Sequence, residues 1–133
     1  EVELPADSSK RLGARVGHLL EGFLGAPIPK LGGQVKAAVM REAAGRMPRF
    51  NRMSGIQEWA NAVFLFVNVG GTSYNNVFLD GGRKMTWFAQ PTQHEDTPVI
   101  KRLLQCTDGA LASGKGDVVL LFCRLPDEPY ICC

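Results

Sequence analysis

No run of eighteen apolar residues occurs in this 133-residue chain, so no membrane-spanning helix is encoded. The first thirty residues also lack a basic segment followed by an apolar stretch and a small-residue cleavage site, which argues against a secretory leader. Equally absent are a GxSxG elbow, a P-loop, a GxGxxG fingerprint and an HExxH helix, and His18 and His94 lie far apart. The chain is therefore expected to be no enzyme, with no cofactor and no metal. Cys106, Cys123, Cys132 and Cys133 have neither zinc-knuckle nor CxxC spacing. They read as reduced, packed thiols in an intracellular protein, nuclear or cytoplasmic.

What is present is ordinary globular material: 45% hydrophobic and 21% charged residues with a net charge of +2, enough for one domain with one core. The chain has no initiating Met and stops within PYICC. We expect one domain over 1–133, excised from a larger protein, with a helical part at 1–60 and a β-rich part with one short helix at 61–133.

Leu12, Val16, Leu19, Leu20 and Phe23 recur at helical spacing after a cap at Asp7-Ser8-Ser9, and Gln34 to Arg46 predicts a second helix. Residues 48–60 read as a loop with a turn of helix around Ile56 to Trp59, and Trp59 as a core anchor. AVFLFVNV reads as a buried strand; VFLD and RKMTWFAQ read as two strands about an Asp-Gly-Gly turn. A short helix follows at 97–104, with Thr97 as cap and Pro98 in the first turn. DVVLLFCRL and PYICC complete roughly five strands. The pattern predicts an α+β fold, helices followed by an antiparallel meander.

Two regions carry candidate binding chemistry. Lys36, Arg41, Arg46, Arg49 and Arg52 form the densest basic stretch, suited to phosphates and equally to a solvated helix face. Tyr74 to Gln93 gathers rings, amides and two cations around a tight turn. There Tyr74, Trp87 and Phe88 could stack bases, and Asn75, Asn76, Gln90 and Gln93 could read base edges. Arg83 and Lys84 could meet phosphate. Neighbouring strand residues point to opposite faces, so one of Trp87 and Phe88 is left for a surface or pocket. His94-Glu95-Asp96 suits a solvated loop, with a small enzyme using His94, Glu95 and Cys106 as the remote alternative.

The succession of MTWFAQ, TPVIKRLL, VVLLFCR and PYICC resembles the C-terminal β-rich domain of bacterial restriction-type proteins that join a helicase to a phospholipase-D-like nuclease. More distantly, residues 64–133 are similar to PUA-like barrels, including the SRA and EVE readers of modified bases. The resemblance implies a small, partly open β-barrel that holds a base between rings; with the helices read from the pattern, the expected fold is N-terminal helices packed on a mostly antiparallel, partly open barrel. Trp87 and Gln90 are the positions it matches; Tyr74, Phe88 and His94 are added from their chemistry. The expected function is nucleic-acid binding, DNA first among the partners, through a modified or single-stranded base. Other domains of a parent protein are further expected partners, and a protein-interaction module is the alternative.

Overall fold

The computed structural model describes residues 12–31, 34–70, 76–88, 92–106 and 117–133. These form an α+β fold of three helices and six short strands: α1 Val16–Phe23, α2 Ala37–Ala44, β1 Ile56–Glu58, β2 Ala62–Asn68, β3 Phe78–Leu79, β4 Lys84–Met85, α3 Pro98–Leu104, β5 Val118–Arg124 and β6 Ile131–Cys132. Four strands make one mixed sheet in the order β1-β2-β5-β6, and β3 and β4 pair apart from it. Among the described residues, no helix is long and apolar enough to cross a membrane.

The centre of the sheet departs from the expected meander. Strands β2 and β5 run parallel, from Ala62 opposite Val118 to Asn68 opposite Arg124. Parallel strands are usually covered on both faces and so read as continuous apolar runs, which is how AVFLFVN and VVLLFCR read. On one face Ala62, Phe64, Phe66, Leu120 and Phe122 pack with α1, α2 and Trp59. On the other, Val63, Leu65 and Val67 pack with Ile56, Met85, Trp87, Leu103 and Leu121. Strand β1 lies antiparallel to β2, and β6 antiparallel to β5. The described strands do not close into the expected barrel. A parallel pair needs a long crossover, and the segment between β2 and β5 provides it.

The Asp-Gly-Gly turn forms as predicted, with Asp80, Gly81 and Gly82 at φ of 50°, 65° and 91°. Gly tolerates this left-handed region at no steric cost. Among the described residues, the strand expected over RKMTWFAQ is paired only at Lys84–Met85. Beyond it, Thr86 ties the hairpin base to Val77, which donates its N–H to Thr86 Oγ1 at 2.9 Å.

The helices are shorter than their apolar patterns. The predicted cap at Asp7-Ser8-Ser9 lies outside the described residues, and α1 starts only at Val16. Just before it, Ala14 donates its N–H to Asn61 Oδ1 at 2.7 Å and accepts from Asn61 Nδ2 at 3.0 Å. Helix α2 ends at Gly45, φ 82°, a left-handed cap. The turn of helix expected at Ile56 is instead β1, while Trp59 is the predicted core anchor at 0% exposure. Helix α3 begins at Pro98 behind Thr97, as read.

The thiol reading is corrected at two positions: Cys123 and Cys133 form a disulfide. Cys123 faces Ile131 across the β5–β6 pair, so Cys133 is its diagonal neighbour on the same sheet face. Cys132, one residue on, turns the other way into the core and is free.

Candidate functional site

A cavity of about 820 Å³ opens where β2 and β5 end. Asn68 is the last residue of β2 and Arg124 the last of β5; they are register partners, and both line the cavity. Ligand sites of open α/β sheets commonly lie beyond the carboxyl ends of parallel strands, where chains diverge and leave a crevice. The volume is within the usual range for small-molecule sites.

Its floor continues the core. Rings pass from Trp59 to Phe64 at 5.3 Å, Phe64 to Phe122 at 5.4 Å, Phe122 to Phe66 at 4.8 Å and Phe66 to Tyr130 at 5.2 Å. The Arg124 guanidinium lies 4.5 Å from the Tyr130 ring centroid, a cation–π arrangement. Its Nε donates to Asn68 Oδ1 at 2.7 Å, which fixes the fork in place. Burial raises the Tyr130 hydroxyl above its usual pKa, with Arg124 opposing, so the phenol is neutral near pH 7.

Trp87 and Phe88 form part of the wall. Trp87 is half-buried against the Val63, Leu65 and Val67 cluster, whereas Phe88 is 50% exposed. Trp87 therefore packs on the sheet while Phe88 faces outward, although neither residue lies in a strand. Asn76 completes the wall and is buried. Its Nδ2 donates to the Asn68 carbonyl at 3.1 Å, while its Oδ1 has no hydrogen-bond partner among the described residues. The carbonyl has no hydrogen to give, so flipping the amide would set two acceptors together; the bond determines which end is oxygen. An unmet buried acceptor costs about 1–3 kcal/mol.

The other expected site residues lie elsewhere. Tyr74, Asn75 and Gln90 fall outside the described residues. Arg83 and Lys84 are exposed at the hairpin tip, away from its Asn76 and Trp87 base. Gln93 lines a separate 330 Å³ cavity with Asn51, Met53 and Val99. His94 is exposed; its N–H goes to Thr97 Oγ1 at 2.9 Å and its Nδ1 accepts from the Asp96 N–H at 3.2 Å. Glu95 is exposed beside it. Cys106 sits beyond the far end of α3, which runs from Pro98 to Leu104. Its thiol is pushed up in pKa, first by burial and then by Asp117, the opposite of an activated nucleophile. Among the described residues, no group of three His, Cys, Asp or Glu is placed to hold a metal.

The basic stretch divides. Arg41, Arg46, Arg49 and Arg52 are exposed, but Lys36 is 8% exposed and corrects the reading of a phosphate-facing cation. Its ammonium donates to the Ser54 carbonyl at 2.7 Å and the Arg52 carbonyl at 3.2 Å, and lies 5.5 Å from the Phe66 centroid. Burial lowers its pKa, with Arg124 the second cause. Lys36 thus holds the Arg52 loop to the core.

Asn68, Arg124 and Tyr130 went unrecognised in the sequence. The available signal was the polar residue ending each long apolar strand, Asn68 in AVFLFVN and Arg124 in VVLLFCR. No family model, curated protein or solved structure matches the chain.

Proposed function

We propose that this chain is a nucleic-acid binding module that takes a base of a single-stranded or distorted strand into the cavity at the ends of β2 and β5. The convergence of Trp87, Phe88, Tyr130, Asn76 and Arg124 on one cavity carries the reading. Aromatic faces stack bases regardless of sequence, and amide and guanidinium groups meet their edges. Exposed Arg49 and Arg52, on the loop that leads to Gly55 in the cavity wall, would supply phosphate affinity in this reading. DNA is the first partner to test, and a modified base remains part of the proposal, in keeping with the resemblance of residues 64–133 to modified-base readers.

Titration of the protein with fluorescent single- and double-stranded DNA and RNA, with and without modified cytosine, tests this at two salt concentrations. Binding is expected to weaken steeply with salt, because phosphate contacts release counterions. Trp87→Ala is expected to weaken it about tenfold, since one base–aromatic stack is worth about 1–3 kcal/mol. No binding to any oligonucleotide at low salt sinks the reading. A protein-interaction module then becomes the reading to pursue, favoured by Leu24 and Leu125, each 57% exposed near the β6 end of the sheet.

A further inference from the structure

We propose that the Cys123–Cys133 disulfide is a thiol-reducible clasp on the cavity: oxidised, it holds the wall supplied by residues 124–132; reduced, it lets that wall open and weakens the binding the cavity supports. Arg124, Pro126, Asp127, Glu128, Pro129 and Tyr130 line the cavity, and all six lie between the two bridged cysteines, which are ten positions apart. The bond therefore closes the loop of chain that makes this wall. A second part of the wall depends on it at one remove. Ile28 lines the cavity beside Pro29 and Lys30, and its N–H donates to the Tyr130 carbonyl at 2.8 Å.

Tyr130 and Cys132 anchor the segment in the core, but residues 125–129 are exposed. Strand β6 pairs with β5 at two positions, Phe122 with Cys132 and Cys123 with Ile131, and so short an edge pairing opens locally at small cost. Within the exposed stretch Asp127 holds a φ of 62°. A non-glycine residue keeps that left-handed conformation only where its surroundings impose it. Fixed loop ends impose it here, and the disulfide fixes both ends at once.

Access sets the chemistry. Cys133 is exposed, whereas Cys123 is 8% exposed, and an exposed disulfide is open to exchange. The thiolate of a low-molecular-weight thiol attacks the Cys133 sulfur, the S–S bond breaks, and Cys123 leaves as a thiolate that takes up a proton. A second thiolate attacks the sulfur brought by the first, and Cys133 leaves and is protonated. The two reagent thiols end as their own disulfide, so two electrons and two protons have passed to the protein. A small-molecule disulfide reverses both steps. Cys132 faces the core on the other side of the strand, so neither sulfur pairs with it while β6 stays in place.

The test uses the whole chain, oxidised with glutathione disulfide or reduced with dithiothreitol, and reads amide hydrogen exchange beside oligonucleotide titration. The N–H groups of Gly25, Ile28 and Cys133 donate to the carbonyls of Cys132, Tyr130 and Leu121 and so report on the segment. They should exchange about tenfold faster in the reduced protein, part of the roughly hundredfold that closing a loop of this size contributes. The Phe66 N–H, bonded to the Gly55 carbonyl elsewhere in the cavity wall, should not change. Oligonucleotide affinity should fall about threefold or more on reduction. Cys133→Ser should match the reduced protein with or without reductant. Thermal melts show whether it folds, and Cys123→Ser takes its place if it does not.

Four titratable thiols in denaturant after oxidation, in place of the two from Cys106 and Cys132, overturn the clasp. Equal exchange at the three amides in both forms overturns it as well, and so does equal oligonucleotide affinity in both forms. Faster exchange on reduction with no oligonucleotide binding in either form supports the clasp and removes the nucleic-acid reading.

Discussion

Removing the Arg102 side chain should loosen the wall that holds Trp87. Arg102 lies on α3 and clasps Asp117 at both carboxylate oxygens, Nε to Oδ2 at 2.7 Å and Nη2 to Oδ1 at 3.0 Å. It also reaches Glu58 on β1 at 3.4 Å and the Trp59 carbonyl. One side chain thereby joins α3, β1 and the start of β5, and its neighbour Leu103 packs on the cluster that carries Trp87. Exposed ion pairs contribute about 0.2–1 kcal/mol, whereas breaking a buried one costs about 3–5 kcal/mol. Arg102 and Glu58 side chains are 22% exposed and Asp117 is 30% exposed, so Arg102→Met should cost an intermediate amount, about 2–3 kcal/mol.

At about 4 °C per kcal/mol for a chain of this length, the melting temperature should fall by about 8–12 °C. A double-mutant cycle with Asp117→Asn isolates the pair and should show coupling of at least about 1 kcal/mol. Acid should erase it. The hydrogen bond from Arg102 is the main reason the Asp117 carboxyl lies below its usual pKa. Its contribution is then complete above the unfolded value near 3.9, and is lost as pH falls from there through the folded value. The stability gap between wild type and Asp117→Asn should therefore close below about pH 4. A loss under about 1 kcal/mol in Arg102→Met, additive single mutants, or a gap that persists into strong acid would refute the clamp.

Phe64 is fully buried between Trp59 and Phe122, so Phe64→Ala should lose about 3–5 kcal/mol in urea unfolding. Gly55→Ala should cost about 1–3 kcal/mol, because its new Cβ would sit 3.0 Å from the Phe66 carbonyl oxygen. Backbone cannot yield there as a flexible side-chain tip could. Since burial depresses the Lys36 pKa, the folded state binds that proton less tightly than the unfolded chain does. Wild type should gain stability relative to Lys36→Met as pH rises from the folded value towards about 10.4, read by parallel melts. Reducing the Cys123–Cys133 bond should free two thiols for titration and lower stability by about 2–3 kcal/mol, the loop-closure entropy of a short loop.

The sequence by itself determined the elements whose cause is local. The Asp80-Gly81-Gly82 turn depends on backbone freedom at three adjacent residues, α3 on Pro98 at a tolerated first-turn position, and β2 and β5 on apolar runs too short for a confident helix. Tertiary structure alone decided the rest. Parallel pairing of β2 with β5 joins residues more than fifty positions apart, and an apolar run does not encode the direction of its neighbour. That pairing sets Asn68 beside Arg124 and places Tyr130 beneath them, so the cavity's floor has no contiguous motif. Lys36 looked solvated because charge is read residue by residue; only the packed core, with two carbonyls and a ring around its ammonium, turns it into a buried tether. Register, likewise, brings Cys123 to Cys133 across two strands while Cys132 faces the core.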